Sequence, residues 1–304
     1  MAGEMDRKGG SAPTTKVLQS AETVPGIQVP LAWAVLLIAS NWYYILWGEP
    51  EGALHWPPLA QALTLLIIAA AISFSPRLKA LRGFVVSLAA FDGGNWARFA
   101  IESNVQWFRT APFADRIFAD AVLAGIPAGF MMLAAIIGGY RRRDLFLVAG
   151  QPGSRTTLPL LHRAKWTVVG PVVLIVTSAG LTEQLRLVAG QSRSWHILEV
   201  QALGVALLFA TVNASFEEIR FRCVLLAHAE PVVGRTHAIW LTAVLFGLAH
   251  WGGHPAGISG MIMAGFLGWL LATSILDTRG WVWAWLIHAI EDVIIFWSIV
   301  ATGR

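Results

Sequence analysis

Long apolar segments separated by short polar connections fill the chain from about residue 30 onward. Crossing the hydrocarbon core of a bilayer, about 30 Å thick, takes about 20 helical residues, and tilt accommodates shorter or longer runs. Eight segments have this character, at residues 30–47, 58–75, 117–139, 166–182, 199–229, 237–251, 257–276 and 281–300. The pattern predicts an all-α fold, a polytopic bundle of transmembrane helices.

A ninth segment, residues 84–102, is also apolar but carries Asp92, Arg98 and Glu102. A charged side chain at the centre of a membrane helix costs about 2.5–3.5 kcal/mol on insertion scales, so this segment would have to turn those residues toward other helices. Two basic loops, at 77–82 and 141–165, both favour the cytoplasmic side. An even number of crossings must then separate them, and segment 84–102 supplies the second. We therefore predict eight or nine spans, favour nine, and expect a cytoplasmic N-terminus.

Composition indicates a membrane protein and argues against nucleic-acid binding. Hydrophobic residues make up 56% of the 304 residues and charged residues 13%, and the mean hydropathy is +0.61. The net charge of +4 comes from basic residues in the loops, where they set topology. The single Cys223 forms neither an internal disulfide nor a CxxC metal site. We expect a multi-pass protein of a prokaryotic plasma membrane with no nucleic-acid partner.

Ionisable side chains interrupt the apolar segments in the last third of the chain. In a membrane such residues face the bundle interior, pair with one another and mark functional sites. Residues four apart share one helix face, so the spacing predicts a Glu218–Arg222 ion pair and places His288 beside Asp292. Glu217 lies about 100° round the helix from Glu218 and gains no partner at that spacing. The full set is Glu217, Glu218, Arg222, His250, His288 and Asp292.

Distances along the helices place these groups at similar depth. If residues 230–236 form a cytoplasmic turn, Glu217 lies roughly 18 Å back along its helix and His250 roughly 21 Å forward along the next. His288 and Asp292 lie roughly 12–18 Å from the turn that precedes their own helix. We expect one cavity, open toward the cytoplasm. A desolvated carboxylate near a His suits general-base catalysis, and a His in a dry cavity suits stabilisation of an oxyanion.

Three motifs in this order resemble those of the CPBP family of intramembrane proteases, also called the ABI family, which includes the type II CAAX prenyl endopeptidases. "EEIRFR" is similar to EExxxR, "FGLAH" to FxxxH, and "HAIED" to Hxxx(N/D). The resemblance covers about 199–300. It divides the chain into a polar tail (1–28), N-terminal transmembrane helices without a recognised motif (29–165) and a catalytic transmembrane core (166–304).

The resemblance implies an intramembrane endopeptidase acting on a membrane-associated protein or peptide by CAAX-type or other tail processing. We predict no cofactor, with zinc or another divalent metal as the alternative. It implies that Glu217 and His250 activate a water and that His288 with Asp292 stabilises the oxyanion. Supporting roles fall to Glu218, Arg222 and Phe246. Asp292 stands where the prenyl-protein enzymes favour Asn, and Cys223 where a small Gly is common. An ionised Asp cannot donate a hydrogen bond, so Asp292 would act through His288.

Other interpretations of the same residues stay open. Glu217, His250, His288 and Asp292 are all competent ligands for zinc or another divalent metal, although the sequence contains no HExxH. Ser259 with His288 would suit a rhomboid-like serine protease but leaves the Glu–Arg pair unexplained. A proton-coupled transporter or a non-catalytic membrane scaffold would also bury such groups. The sequence shows no inverted repeats of the kind typical of transporters.

Overall fold

The computed structural model describes residues 26–40, 42–47, 56–189, 200–253 and 256–302. The predicted polar tail, 1–28, therefore lies almost wholly outside the described residues. Within the described ranges the chain is helical, with no strand beyond one isolated bridge between Arg155 and Lys165. The helices are α1 (Gln28–Ala39), α2 (Trp42–Trp47), α3 (Trp56–Ser73), α4 (Arg82–Asn104), α5 (Trp107–Thr110), α6 (Phe113–Leu123), α7 (Gly125–Ile137), α8 (Trp166–Ala189), α9 (Val200–Glu218), α10 (Val224–Ala249), α11 (Gly257–Thr278) and α12 (Val282–Thr302).

Five helical stretches in the described part of the chain are long and apolar enough to cross a membrane. They are Asp115–Ile137, Trp166–Leu187, Leu203–Ala249, Gly257–Thr278 and Val282–Ile299. Shorter apolar helices, Gln28–Ala39 and Pro57–Ser73, lie at two more of the predicted positions. The predicted class, an all-helical integral membrane protein, is confirmed. The count of eight or nine spans stays a prediction.

The stretch Leu203–Ala249 is too long for one crossing. Its 47 residues would extend about 70 Å as a straight helix, more than twice the thickness of the hydrocarbon core. The helix breaks at Gly234, whose φ of 78° and ψ of 163° lie outside the helical region, three residues after Pro231. The break falls inside the turn predicted at 230–236. It separates the arm that carries Glu217 from the arm that carries His250.

Segment 84–102, doubtful as a span, forms α4 and is not among the five candidate stretches. Helix α4 packs against α3 and α7. Asp92 is buried, and Arg98 forms ion pairs with Glu102 on its own helix and with Asp120 on α6. The charged side chains of α4 thus face other helices of the protein. A helix with such residues must do so if it lies within the membrane.

Helices α10 and α11 approach each other closely near the site. A Cβ added to Gly247 would lie 2.8 Å from the backbone oxygen of Met261 and 3.2 Å from Cα of Gly265, so only glycine fits there. Helix α12 packs against α8 and α9. These contacts bring the ends of α9 and α10 and the middle of α12 together.

Candidate active site

A turn of π-helix, Ile219–Cys223, joins α9 to α10 and holds the first group of charges. Such single wide turns inside α-helices occur frequently at functional sites. Glu218 is the last residue of α9, and its Oε1 accepts a 2.6 Å bond from Nη1 of Arg222. Both side chains are 0% exposed. The ion pair predicted from the i, i+4 spacing is therefore present and completely buried.

Glu217 has a partner of its own, which corrects the expectation that it has none. Nη2 of Arg220 donates to Oε1 of Glu217 over 2.6 Å. We predicted the pairing from the i, i+4 spacing alone, whereas side chains three residues apart are also neighbours on a helix. Arg220, which sequence reasoning left without a role, is buried, and its guanidinium lies 4.7 Å from the centre of the Phe221 ring. It is the ion-pair partner of the proposed base.

His288 of α12 lies among three carboxylates. Its Nδ1 is 2.6 Å from Oε1 of Glu218, its Nε2 is 3.4 Å from Oε2 of Glu217, and Nε2 is 3.8 Å from Oδ1 of Asp292. Because a carboxylate only accepts hydrogen bonds, Nδ1 is the donor to Glu218. The sequence predicted Asp292 as the partner of His288. The shortest contact of the ring is instead with Glu218, on a different helix.

Phe246 connects the three motifs through its ring. The guanidinium of Arg222 lies 3.9 Å from the centre of this ring, and the ring of His288 meets it edge-on at 5.7 Å. The ring of His250 lies 4.2 Å away. The supporting position predicted for Phe246 thus corresponds to contacts with one residue of each motif. Cation–π attraction of this kind is strongest in a desolvated site.

His250 follows the last residue of α10 and is oriented by its own backbone. Its Nδ1 lies 2.8 Å from the carbonyl oxygen of Phe246, so the hydrogen-bond network assigns the Nδ1 proton to this contact and leaves Nε2 for another partner. His250 and Glu217 are within electrostatic range of each other. Among the described residues, however, no direct hydrogen bond joins them. The pair expected to activate water is adjacent but not in contact.

A cavity of about 240 Å³ opens beside these side chains, between α8, α10, α11 and α12. Most of its wall is apolar. Glu217 and Glu218 do not line it. The ionisable and hydroxyl side chains that do line it are Thr177, His250, His288, Glu291 and Asp292. Glu217, His250, His288 and Asp292 were predicted to share one cavity. His250, His288 and Asp292 line this one, whereas Glu217 does not, and a catalytic cavity stays a prediction.

Three polar contacts at the cavity were not foreseen. Nδ2 of Asn213 on α9 donates to Oδ2 of Asp292 over 3.1 Å. Glu291 accepts bonds from the hydroxyls of Thr177 and Ser178, at 2.6 and 3.1 Å. The only signal available in the sequence was the presence of polar residues on apolar helices, since the partners lie on other helices far along the chain.

The proposed zinc ligands do not fit a metal site as they are arranged. Within the described residues, no group of three or more His, Cys, Asp or Glu side chains could hold a metal ion. Zinc ligands must direct lone pairs at the ion from about 2.0–2.2 Å. Here Nδ1 of His288 is bonded to Glu218, and Oε1 of Glu217 is bonded to Arg220.

Ser259, the residue of the serine-protease interpretation, does not join the site. Its side chain is exposed, and its hydroxyl lies 3.5 Å from the backbone oxygen of Ala256. No contact with His288 is found in the described part of the structure. The geometry does not support a Ser–His pair.

Part of the chain that forms this site matches the model of a known protein family. Residues 199–294 match the model of the family described as Type II CAAX prenyl endopeptidase Rce1-like. This segment is Rce1-like. It contains every residue of the three motifs, so the resemblance to CAAX proteases is confirmed. The search of curated proteins and the search of solved structures returned no match. The Rce1-like family is a protease family, which supports a peptidase in a membrane.

Proposed function

We propose that the protein is an intramembrane endopeptidase that hydrolyses a peptide bond in a membrane-associated protein or peptide. The observation that carries the proposal is His288, which lies at a cavity wall between the carboxylates of Glu217, Glu218 and Asp292, with His250 lining the same cavity. The Rce1-like match over this segment supports a CAAX-type or other tail-processing reaction.

In the proposed reaction, Glu217 and His250 activate one water molecule. The water oxygen forms a bond to the carbonyl carbon of the substrate, and its proton passes to this pair. When the tetrahedral intermediate collapses, the carbon–nitrogen bond breaks and the proton passes to the departing amine. A positioned base of this kind contributes about 10²–10⁴-fold to the rate. His250 offers Nε2 for this purpose, since Nδ1 is bonded to Phe246.

His288 stabilises the negative charge that develops on the carbonyl oxygen. Asp292, itself held by Asn213, orients the His288 ring from one turn away. Glu218 fixes the other side of the ring through Nδ1, and Arg222 holds Glu218. A rigid donor in a water-excluded site stabilises an oxyanion without reorganising during the reaction. Removing one such donor typically costs about 10²–10³-fold in kcat.

The substrate can be found by comparing membrane fractions of cells that contain the wild type with those that contain Glu217→Gln or His250→Ala. Proteomics that resolves new protein termini would show both the substrate and the cleaved bond. Glu183→Gln and His162→Ala are matched controls, because both side chains are exposed and outside the site. We expect cleavage to fall by about 10²–10⁴-fold in the site variants and to persist in the controls.

A second assay distinguishes a protease from a transporter. The purified protein in liposomes is offered a C-a-a-X peptide with and without a prenyl group, and ion flux is recorded in parallel. Cleavage of either peptide that depends on Glu217 supports the proposal. Unchanged proteolysis in Glu217→Gln together with altered ion flux would overturn it.

A further inference from the structure

Glu291 is a buried carboxylate of the cavity wall that the proposed mechanism does not use. It lies on α12, three residues after His288, so the two side chains are neighbours on one helix face. It is 3% exposed and lines the same cavity as His250 and His288. A carboxylate this deep in an apolar bundle is costly unless it is paired.

Only one of its two oxygens is occupied by the protein. Oε1 is within hydrogen-bond distance of the hydroxyls of Thr177 and Ser178. Oε2 has no hydrogen-bond partner among the described residues. Because Glu291 lines the cavity, Oε2 is the oxygen that remains for a ligand bound there. No Arg, Lys or His of the described chain lies within ion-pair distance of Glu291.

The volume and lining of the cavity indicate which kind of ligand would pair with the Glu291 carboxylate. Its volume of about 240 Å³ is larger than the roughly 150 Å³ of an apolar cavity that holds a benzene molecule, which suits one long side chain. The rest of the wall is mostly apolar and would cover an aliphatic stem. Because only one oxygen of Glu291 is free, this carboxylate cannot accept the two parallel hydrogen bonds that an Arg guanidinium donates. The compact ammonium of Lys needs only one acceptor.

We propose that Glu291 is a specificity-determining residue that receives a Lys side chain, or an equivalent primary alkylamine, next to the scissile bond of the substrate. The proposal rests on the proposed protease function and gives it a substrate class. It also predicts a departure from the aliphatic residues that follow Cys in a C-a-a-X sequence.

The test measures kcat/KM for peptides in which each position beside the cleaved bond is in turn Lys, Arg or Leu. For the wild type we expect Lys to exceed both Leu and Arg at one position by roughly 10–100-fold, because Leu cannot form, and the planar fork of Arg does not fit, the charge-assisted hydrogen bond that Lys makes with Glu291. Glu291→Gln should abolish this ratio, and Glu291→Asp, which keeps the charge, should retain part of it. Glu183→Gln removes an exposed carboxylate that does not line the cavity, so it is the control and should keep the wild-type ratio.

A binding measurement separates failure of this inference from failure of the proposed function. The thermal unfolding of the purified protein is followed with hexylamine and with hexanol. We expect hexylamine to stabilise the wild type more than hexanol does, and Glu291→Gln to lose that difference. If no peptide is cleaved but the difference is found, the protease proposal fails and the amine site stands. Equal cleavage of the Lys and Leu peptides by the wild type, or equal effects of the two probes, would overturn the amine site alone.

Discussion

Replacing Arg222 with Met tests whether the buried ion pair with Glu218 holds the site together. Removing one partner of a buried pair typically costs about 3–5 kcal/mol, because the other charge is left uncompensated. Two features reduce the cost here. Glu218 keeps its 2.6 Å bond to His288. In addition, Nε and Nη2 of Arg222 are buried without hydrogen-bond partners. Replacing Arg222 with Met removes these two groups and with them the free-energy cost of their desolvation.

The aromatic contact of Arg222 acts in the opposite direction. Its guanidinium lies 3.9 Å from the centre of the Phe246 ring, and a desolvated cation–π contact contributes about 2 kcal/mol. A Met side chain at this position restores part of the lost stabilisation, because its sulfur makes a favourable contact with the Phe246 ring. Together these effects give an expected loss of about 3 kcal/mol in the free energy of unfolding.

The assay is unfolding of the purified protein by SDS in mixed micelles. The matched control is Arg186→Met, since Arg186 and Glu183 form an ion pair with side chains 60% and 58% exposed, for which about 0–1 kcal/mol is expected. The double variant Glu218→Gln with Arg222→Met should lose less than the sum of the single variants, because it leaves no unpaired charge. If Arg222→Met lowers the free energy of unfolding no more than Arg186→Met does, the Glu218–Arg222 ion pair does not stabilise the site.

Three further predictions concern the site and its frame. Arg220→Gln leaves Oε1 of Glu217 without its partner, so we expect kcat to fall by roughly tenfold or more at unchanged KM; an unaltered kcat would show that Arg220 only packs. Gly247→Val places a side chain against the backbone of Met261, so it should separate α10 from α11 and lower both stability and cleavage, and full activity would refute this. Because the candidate ligands do not form a metal site, cleavage should survive prolonged treatment with a strong chelator, and restoration of lost activity by added zinc would revive the metal mechanism.

The features predicted correctly from the sequence depend on residues near one another in the chain. The helices follow from apolar runs, and the break at Gly234 follows from turn-forming residues between two of them. The Glu218–Arg222 pair follows from its spacing on one helix. Because these features are fixed by local backbone geometry, no knowledge of helix packing was needed to predict them.

The features that were missed depend on how the helices are rotated against one another. The spacing of His288 and Asp292 indicated a shared face, but not that Glu218 of another helix would lie nearer to the ring. In the same way, nothing in the pattern placed Asn213 against Asp292. The partner of Glu217 was missed for a different reason, since its i, i+3 neighbour is local and could have been weighed.

The carboxylates of the site also differ in the side chains that offset their negative charge. Glu217 faces Arg220, Glu218 faces Arg222, and Asp292 lies near His288, so each has a cationic or donor neighbour on the protein. Such pairing offsets the cost of burying charge in an apolar bundle. Glu291 breaks the pattern, because its hydrogen-bond partners in the described structure are hydroxyls, no cationic side chain there lies within ion-pair distance of it, and it lines a cavity. A carboxylate balanced less completely than its neighbours gains most from a cationic ligand, and a substrate residue is the group that a protease brings to that position.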